Sequence, residues 1–223
     1  DEGRHILLGM EPDPVTYGLG QAAIKGDQQS LALLTGANSG GKTTLLECLA
    51  YACILGHMGL PVPAVRARIG KVEALHILAK AGGTQSAGAL EQTLVELATV
   101  VSDPTPKLIL ADELEAITEP GAGARIIAGM LLAAEAQKDT TMLLVTHLAP
   151  AILAATKRDD LRVDGIEASG LGAELELLVD RTPKRNHLAR STPELIVKRL
   201  VEKSSGHAKA LFGDILGMFA EDD

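Results

Sequence analysis

Gly36-Ala37-Asn38-Ser39-Gly40-Gly41-Lys42-Thr43-Thr44 sets the fold expected of the whole chain. The spacing G-x-x-x-x-G-K-[ST] is met by Gly36, Gly41, Lys42 and Thr43, directly after the apolar run Ser30 to Leu34, which reads as a buried strand. The pattern is that of a phosphate loop. A polyphosphate needs many donors in a small space, so the backbone must curl until successive N–H groups point inward. Gly36, Gly40 and Gly41 permit that curl, and a helix beginning near Lys42 adds free amide donors and the positive end of its dipole. On this reading residues 36 to 44 bind the nucleotide's phosphates. Lys42 reaches the β- and γ-phosphates, and the Thr43 hydroxyl helps to hold Mg²⁺.

A second motif lies downstream at Lys107-Leu108-Ile109-Leu110-Ala111-Asp112-Glu113. An apolar run closed by two carboxylates describes a central parallel strand with acids at its C-terminal end, which is where ligands bind in open α/β sheets. In that position the pair reads as a Walker B motif. Asp112 is expected to hold Mg²⁺ and Glu113 to orient or deprotonate the attacking water. Met142 to Val145 reads as the next core strand and ends at Thr146-His147. The order loop, acids, histidine follows the ABC-type ATPase plan, in which His147 senses the γ-phosphate. Tyr17, one of four aromatic residues, lies upstream of the loop and reads either as a stacking partner for adenine or as a half-buried strand tyrosine.

Composition narrows the alternatives. The 223 residues suffice for one sizeable α/β domain, or one with a small appendage. Hydrophobic residues make up 46% of the chain, but aromatics only 2%, so stacking platforms for bases of a nucleic acid are not expected within it. The formal charge of −8 argues likewise against a surface that grips DNA phosphates. The basic clusters Arg66, Arg68, Lys71 and Arg181, Lys184, Arg185, Arg190 read as solvated surface. Cys48 and Cys53 fall too far apart on a helix for a disulfide. Without a cysteine framework or a charged-then-apolar leader, a cytoplasmic protein is expected. The apolar stretch Cys48 to Val65 contains Pro61 and Pro63 and reads as a core helix entering a turn, not as a membrane span. Beginning at Asp1 without an initiator Met, the chain reads as a piece of something longer.

Taken in order, the chain divides into a nucleotide-binding core (1–158), an antiparallel strand pair (159–190) and a C-terminal helical segment (191–223). Arg4 to Gly20 reads as a strand or two broken by turns, and Gly26-Asp27 as a hairpin turn. Val72 to Ile77 reads as a strand. Gly82 to Ser86 opens a helix that carries Leu90, Leu94, Leu97, Val100 and Val101 at helical spacing. Ile126 to Ala136 reads as a helix. Leu161 to Ser169 and Ala173 to Asp180 read as an antiparallel pair joined through Gly170 and Gly172. Pro193 to Lys203 reads as an amphipathic helix capped by Ser191 or Thr192, followed by a short tail helix. The fold class expected is a three-layer α/β P-loop NTPase, its sheet mostly parallel with antiparallel strands at the edge.

The phosphate loop, Val62-Pro63-Ala64 followed by Ile69-Gly70, the helix start at Ser86, the Asp112-Glu113 strand and Val145-Thr146-His147 together resemble the C-terminal ATPase domain of the MutS family. In that family the loop typically reads G-P-N-M-G-G-K-S, so Asn38, Gly40 and Gly41 agree while Ala37, Ser39 and Thr43 depart mildly. Asn186 to Val197 is similar to the MutS-related proteins of archaea and some bacteria. The resemblance implies a head-to-tail homodimer that sandwiches two ATP molecules, with Ser86 touching the partner's ATP and Thr118 to Gly121 facing the dimer. It also implies that DNA is engaged by domains outside this chain. The function expected is Mg-dependent ATP hydrolysis coupled to dimerisation in a DNA repair or recombination protein. The alternatives are the ATPase head of another ABC-type protein and an ATP-gated interaction module with little turnover.

Overall fold

Every residue of β1 (Leu31–Gly36) is buried, as a strand covered on both faces requires. Its side chains alternate between two cores: Leu31 and Leu33 face one, Ala32 and Leu34 the other. The same alternation recurs on β3 (Lys107–Asp112) and β4 (Thr140–Val145). With β2 (Ala74–Ala79) and β5 (Arg162–Ile166) they form a five-stranded sheet, order β2-β3-β4-β1-β5, in which every pairing is parallel. The computed structural model from which this is read describes residues 1–9, 12–23, 28–37, 40–79, 87–114, 118–189 and 192–219.

Parallel strands need crossovers, and the helices supply them on both faces. α1 (Lys42–His57) packs Leu45, Leu46 and Ala50 on one face. α2 (Ala87–Ser102), α3 (Pro120–Glu135) and α4 (Ala149–Thr156) cover the other, with Leu97, Ile127, Leu131 and Ile152 at the contact. The result is three layers. α3 starts six residues before the expected Ile126, with Pro120 in its first turn, where the ring's fixed φ suits a helix. In the N-terminal segment Gly3 bridges both Val15 and Ala64 in place of regular strands. Cys48 and Cys53 are free thiols on α1, and burial pushes both above the usual thiol range. The expected turn at Gly26-Asp27 lies outside the described residues.

The expected antiparallel pair after α4 is present, but it is shorter than expected and stands apart from the main sheet. Leu161 to Ser169 is not one strand: it breaks at Glu167 into β5, a parallel member of the main sheet, and β6 (Ala168–Leu171). β6 pairs antiparallel with β7 (Leu177–Val179) as a separate two-stranded sheet, so both edge strands of the main sheet, β2 and β5, are parallel. The physical reason is the seat beside β1, which demands burial of Val163, Asp164 and Ile166. The outer edge of β5 is covered by residues 184–189. Gly165 and Lys184 exchange backbone hydrogen bonds, and His187 N–H donates to Val163 O at 2.8 Å. A Cβ on Gly165 would lie 2.5 Å from His187 O, so this approach requires glycine. Beyond this strap, α5 (Pro193–Lys203) and α6 (Gly206–Phe219) pack against each other, and neither buries a residue. Thr192 is the N-cap of α5 but makes no side-chain capping bond, and Ser191 lies outside the described residues.

Candidate functional site

Register brings the motifs together. Leu34 on β1 and Asp112 on β3 are both level with Val145 on β4, so Gly36, Asp112-Glu113 and Thr146-His147 emerge from the same end of three adjacent strands. The glycine loop is shaped by backbone that only glycine tolerates. Gly36 has φ +131°, and a Cβ there would lie 2.2 Å from Ile166 O on β5. Gly40 N–H donates to Ala37 O at 3.0 Å, turning the chain back on itself. Gly41, φ +89°, is the N-cap of α1.

Lys42 is the first residue of α1, and its side chain is buried. Its Nζ donates to Gly36 O and Ala37 O, both at 2.8 Å, so the cation lies along the inside of the loop. Burial pushes this ammonium below its usual range, and the nearby carboxylates of Glu113 and Asp112 pull it partly back. Thr43, exposed on α1, donates its Oγ1–H to Asp112 Oδ2 at 2.6 Å. A hydroxyl and a carboxylate oxygen are hard donors of the type that Mg²⁺ takes. Thr44 follows on the same turn and is half-buried.

His147 Nε2 and Glu113 Oε1 lie 2.8 Å apart, each side chain about one third exposed. The ring donates to the carboxylate. Glu113 has φ +48°, a left-handed backbone that costs a non-glycine residue about 1–3 kcal/mol and is held here by its N–H bond to Val145 O at 3.0 Å. His147 is positioned by the fully buried Thr146, whose N–H donates to Leu34 O at 3.1 Å and whose Oγ1 accepts from Leu148 N–H at 2.9 Å. One sheet end thus carries a buried ammonium, a hydroxyl, two carboxylates and an imidazole. Asn38, Ser39 and Ser86 lie outside the described residues.

Tyr17 belongs to a different cluster. Its hydroxyl donates to Asp164 Oδ2 at 2.7 Å, and the Arg162 guanidinium stands 5.2 Å from the ring centroid. Burial, and then Asp164, push the phenol far above its usual range. Arg162 and Asp164 form a buried ion pair at 2.7 Å. Around it, Asp164 Oδ1 also accepts from Asn186 N–H, and Arg162 Nη1 donates to Gly18 O. Thr35, the residue before Gly36, joins this junction to the loop: its hydroxyl donates to Asp164 O at 3.2 Å and accepts from Ala189 N–H at 3.1 Å. Sequence reasoning passed over this pair. The available signal was the i, i+2 spacing of opposite charges on one strand face.

Residues 32–185, which include the loop, the acids, His147 and the buried pair, match the family model for MutS domain V. The chain belongs to the MutS family. It is 42% identical over 223 residues to the DNA-binding protein MutS2 of Pyrococcus furiosus, an alignment covering 98% of this chain and 39% of that protein. It is 34% identical over 125 residues to the mitochondrial DNA mismatch repair protein MSH1 of Arabidopsis thaliana, covering 55% of this chain and 11% of that protein. Against the DNA mismatch repair protein MutS of Desulfovibrio desulfuricans the identity is 32% over 128 residues, 54% of this chain and 14% of that one. The chain therefore spans well under half the length of these MutS relatives. Among the described residues of this MutS domain, no helix is long and apolar enough to cross a membrane.

Proposed function

We propose that this MutS domain is an ABC-type P-loop ATPase that hydrolyses ATP with Mg²⁺ and uses nucleotide-dependent, head-to-tail dimerisation to move DNA-engaging domains of a longer repair or recombination protein. The observation that carries the reading is the convergence, at one sheet end, of Lys42 along its glycine loop, the Thr43–Asp112 bond and the Glu113–His147 bond. The residues suit the ligands. A loop that excludes Cβ atoms at Gly36 and Gly40 brings backbone close to a polyphosphate. Among the described residues no group of three or more His, Cys, Asp or Glu could cage a metal. Thr43 and Asp112 alone suit Mg²⁺, which completes its shell with water and substrate phosphate oxygens.

In this reading Lys42 exchanges its two loop carbonyls for phosphate oxygens. Bound Mg²⁺ supplies neutralisation of charge on the β- and γ-phosphates. Glu113 orients the attacking water and takes its proton, while His147 holds the Glu113 carboxylate and senses the γ-phosphate. Asn38 and Ser39 add backbone donors and Ser86 reaches the partner's ATP, while Tyr17, tied to Asp164 and Arg162, takes the half-buried structural alternative and has no part in holding the adenine. The names of the relatives, which describe DNA-binding and mismatch repair proteins, support the link to DNA.

The deciding experiment is the solution mass of Glu113→Gln with and without Mg-ATP, beside the same variant carrying Ser86→Ala. Dimerisation that needs ATP and is lost with Ser86 supports the composite site. An ATP-bound monomer at high protein concentration overturns it in favour of a nucleotide-gated module.

A further inference from the structure

The nucleotide-site reading leaves unused a cavity of about 460 Å³ beneath α1, whose mouth is at the opposite end of the sheet from the glycine loop. Its place follows from the topology. β2, β3 and β4 are parallel and begin at one end, where Glu73 and Ala74 N–H groups donate to Pro106 O and Lys107 N–H donates to Asp139 O. Those bonds gather Lys71, Pro106 and Lys138 around a single mouth. Six-residue strands rising about 3.3 Å per residue separate that mouth from Asp112 by about 20 Å.

The lining has two characters. Leu45 of α1, in the core on this face, and the partly buried Leu49 of α1 and Leu108 of β3, packed against that core, make an apolar floor. Around it stand five cationic side chains against two carboxylates, Asp1 and Asp139, and Asp1 is already paired with Arg66. On a chain of net charge −8 that local excess of positive charge runs against the composition. Among the described residues Arg68, Lys71 and Lys138 have no ion-pair partner. An apolar floor of this volume with a few convergent charged groups has the size and character of a small-molecule site.

We infer that this cavity binds a small amphipathic anion, its apolar body on Leu45, Leu49 and Leu108 and a single carboxylate, sulfonate or phosphate head among Arg68, Lys71 and Lys138. The body gains from leaving water. The head gains a cluster of exposed cations at the mouth of the cavity. The helix that supplies Leu45 and Leu49 to this lining, α1, also carries Lys42 and Thr43 in its first turn.

Fluorescence titration of the 223-residue chain with anilinonaphthalene sulfonate and with uncharged N-phenylnaphthylamine tests both halves of the inference. Each dye is expected to bind saturably, and saturating Mg-ATP displaces neither. The double variant Lys71→Glu, Lys138→Glu, which alters only exposed side chains, weakens the sulfonate dye about tenfold or more and leaves the uncharged one unchanged. Ala52→Phe, which fills the cavity, weakens both. Failure of both dyes to bind, displacement by Mg-ATP, or charge reversal that moves the two dyes equally or not at all overturns the inference.

Discussion

Glu113 and His147 meet at 2.8 Å across the ends of two adjacent parallel strands, β3 and β4. The carboxylate is held by the imidazole, and its own backbone is in a left-handed conformation that β4 stabilises through Val145 O. Glu113→Gln keeps the shape and removes the proton acceptor. Steady-state ATP turnover is expected to fall by about 10²-fold or more with nucleotide affinity retained. Single-turnover hydrolysis at the wild-type rate would sink that role for Glu113.

Thr43 bonds Asp112 through its hydroxyl, so replacements that keep or remove that group separate its role. Thr43→Ser is expected to retain Mg-dependent nucleotide binding near wild type. Thr43→Ala weakens it about tenfold, worth about 1.4 kcal/mol. Titration calorimetry with and without Mg²⁺ reads the difference, and equal affinities for the two variants contradict it.

Glycine positions differ in what they tolerate. Gly36→Ala places a methyl 2.2 Å from Ile166 O on a backbone of φ +131°, and is expected to destabilise the fold by about 2–3 kcal/mol. Gly129, exposed inside α3 with open space around its ideal Cβ, is the contrast. There alanine is expected to stabilise by about 0.5–1 kcal/mol. Urea unfolding of the two variants gives both signs in one measurement.

The phenol of Tyr17 is pushed up by burial and by Asp164, from an ordinary value of 10.0. A group with a raised native pKa contributes stability that is complete below its unfolded value and is lost as pH rises beyond it. Unfolding free energy is therefore expected to fall from about pH 10 upward in the wild type. In Tyr17→Phe that part of the decline disappears, and at neutral pH the lost bond to Asp164 costs about 1–2 kcal/mol. Denaturant melts from pH 8 to 11 compare the slopes; parallel curves refute the assignment.

What could be read in advance was what depends on short-range pattern. Leu31 to Leu34 announces a strand because covering both faces leaves no room for polar residues. Asp112 and Glu113 are conspicuous because acids closing such a run stand at the end where ligands bind. The start of α3 was hidden because Gly121 and Gly123 lower helix propensity, whereas burial of Gly123 and Ala124 against the core overrides it. Arg162-Val163-Asp164 has the mixed polarity of a half-exposed strand. It becomes fully buried only because Asp164 finds Tyr17 147 residues away and Asn186 22 residues away, partners that no local window contains. Gly56 conceals a similar long-range fact: Ile69 occupies the space a Cβ would fill, which lets the 62–70 connection cross α1.

The strap at 184–189 gives the molecule a graded resistance to opening. Upstream of it lie strands whose amides are sealed between two cores. Downstream, α5 and α6 have no buried residue and rest chiefly on one another. Opening free energies for amide exchange should therefore drop sharply past Ala189, and the helical pair can detach or reorient as one unit while the sheet stays closed. Because that strap is hydrogen-bonded to Thr35, the residue before the glycine loop, the segment that leads to the unburied helices α5 and α6 is anchored a single residue from Gly36.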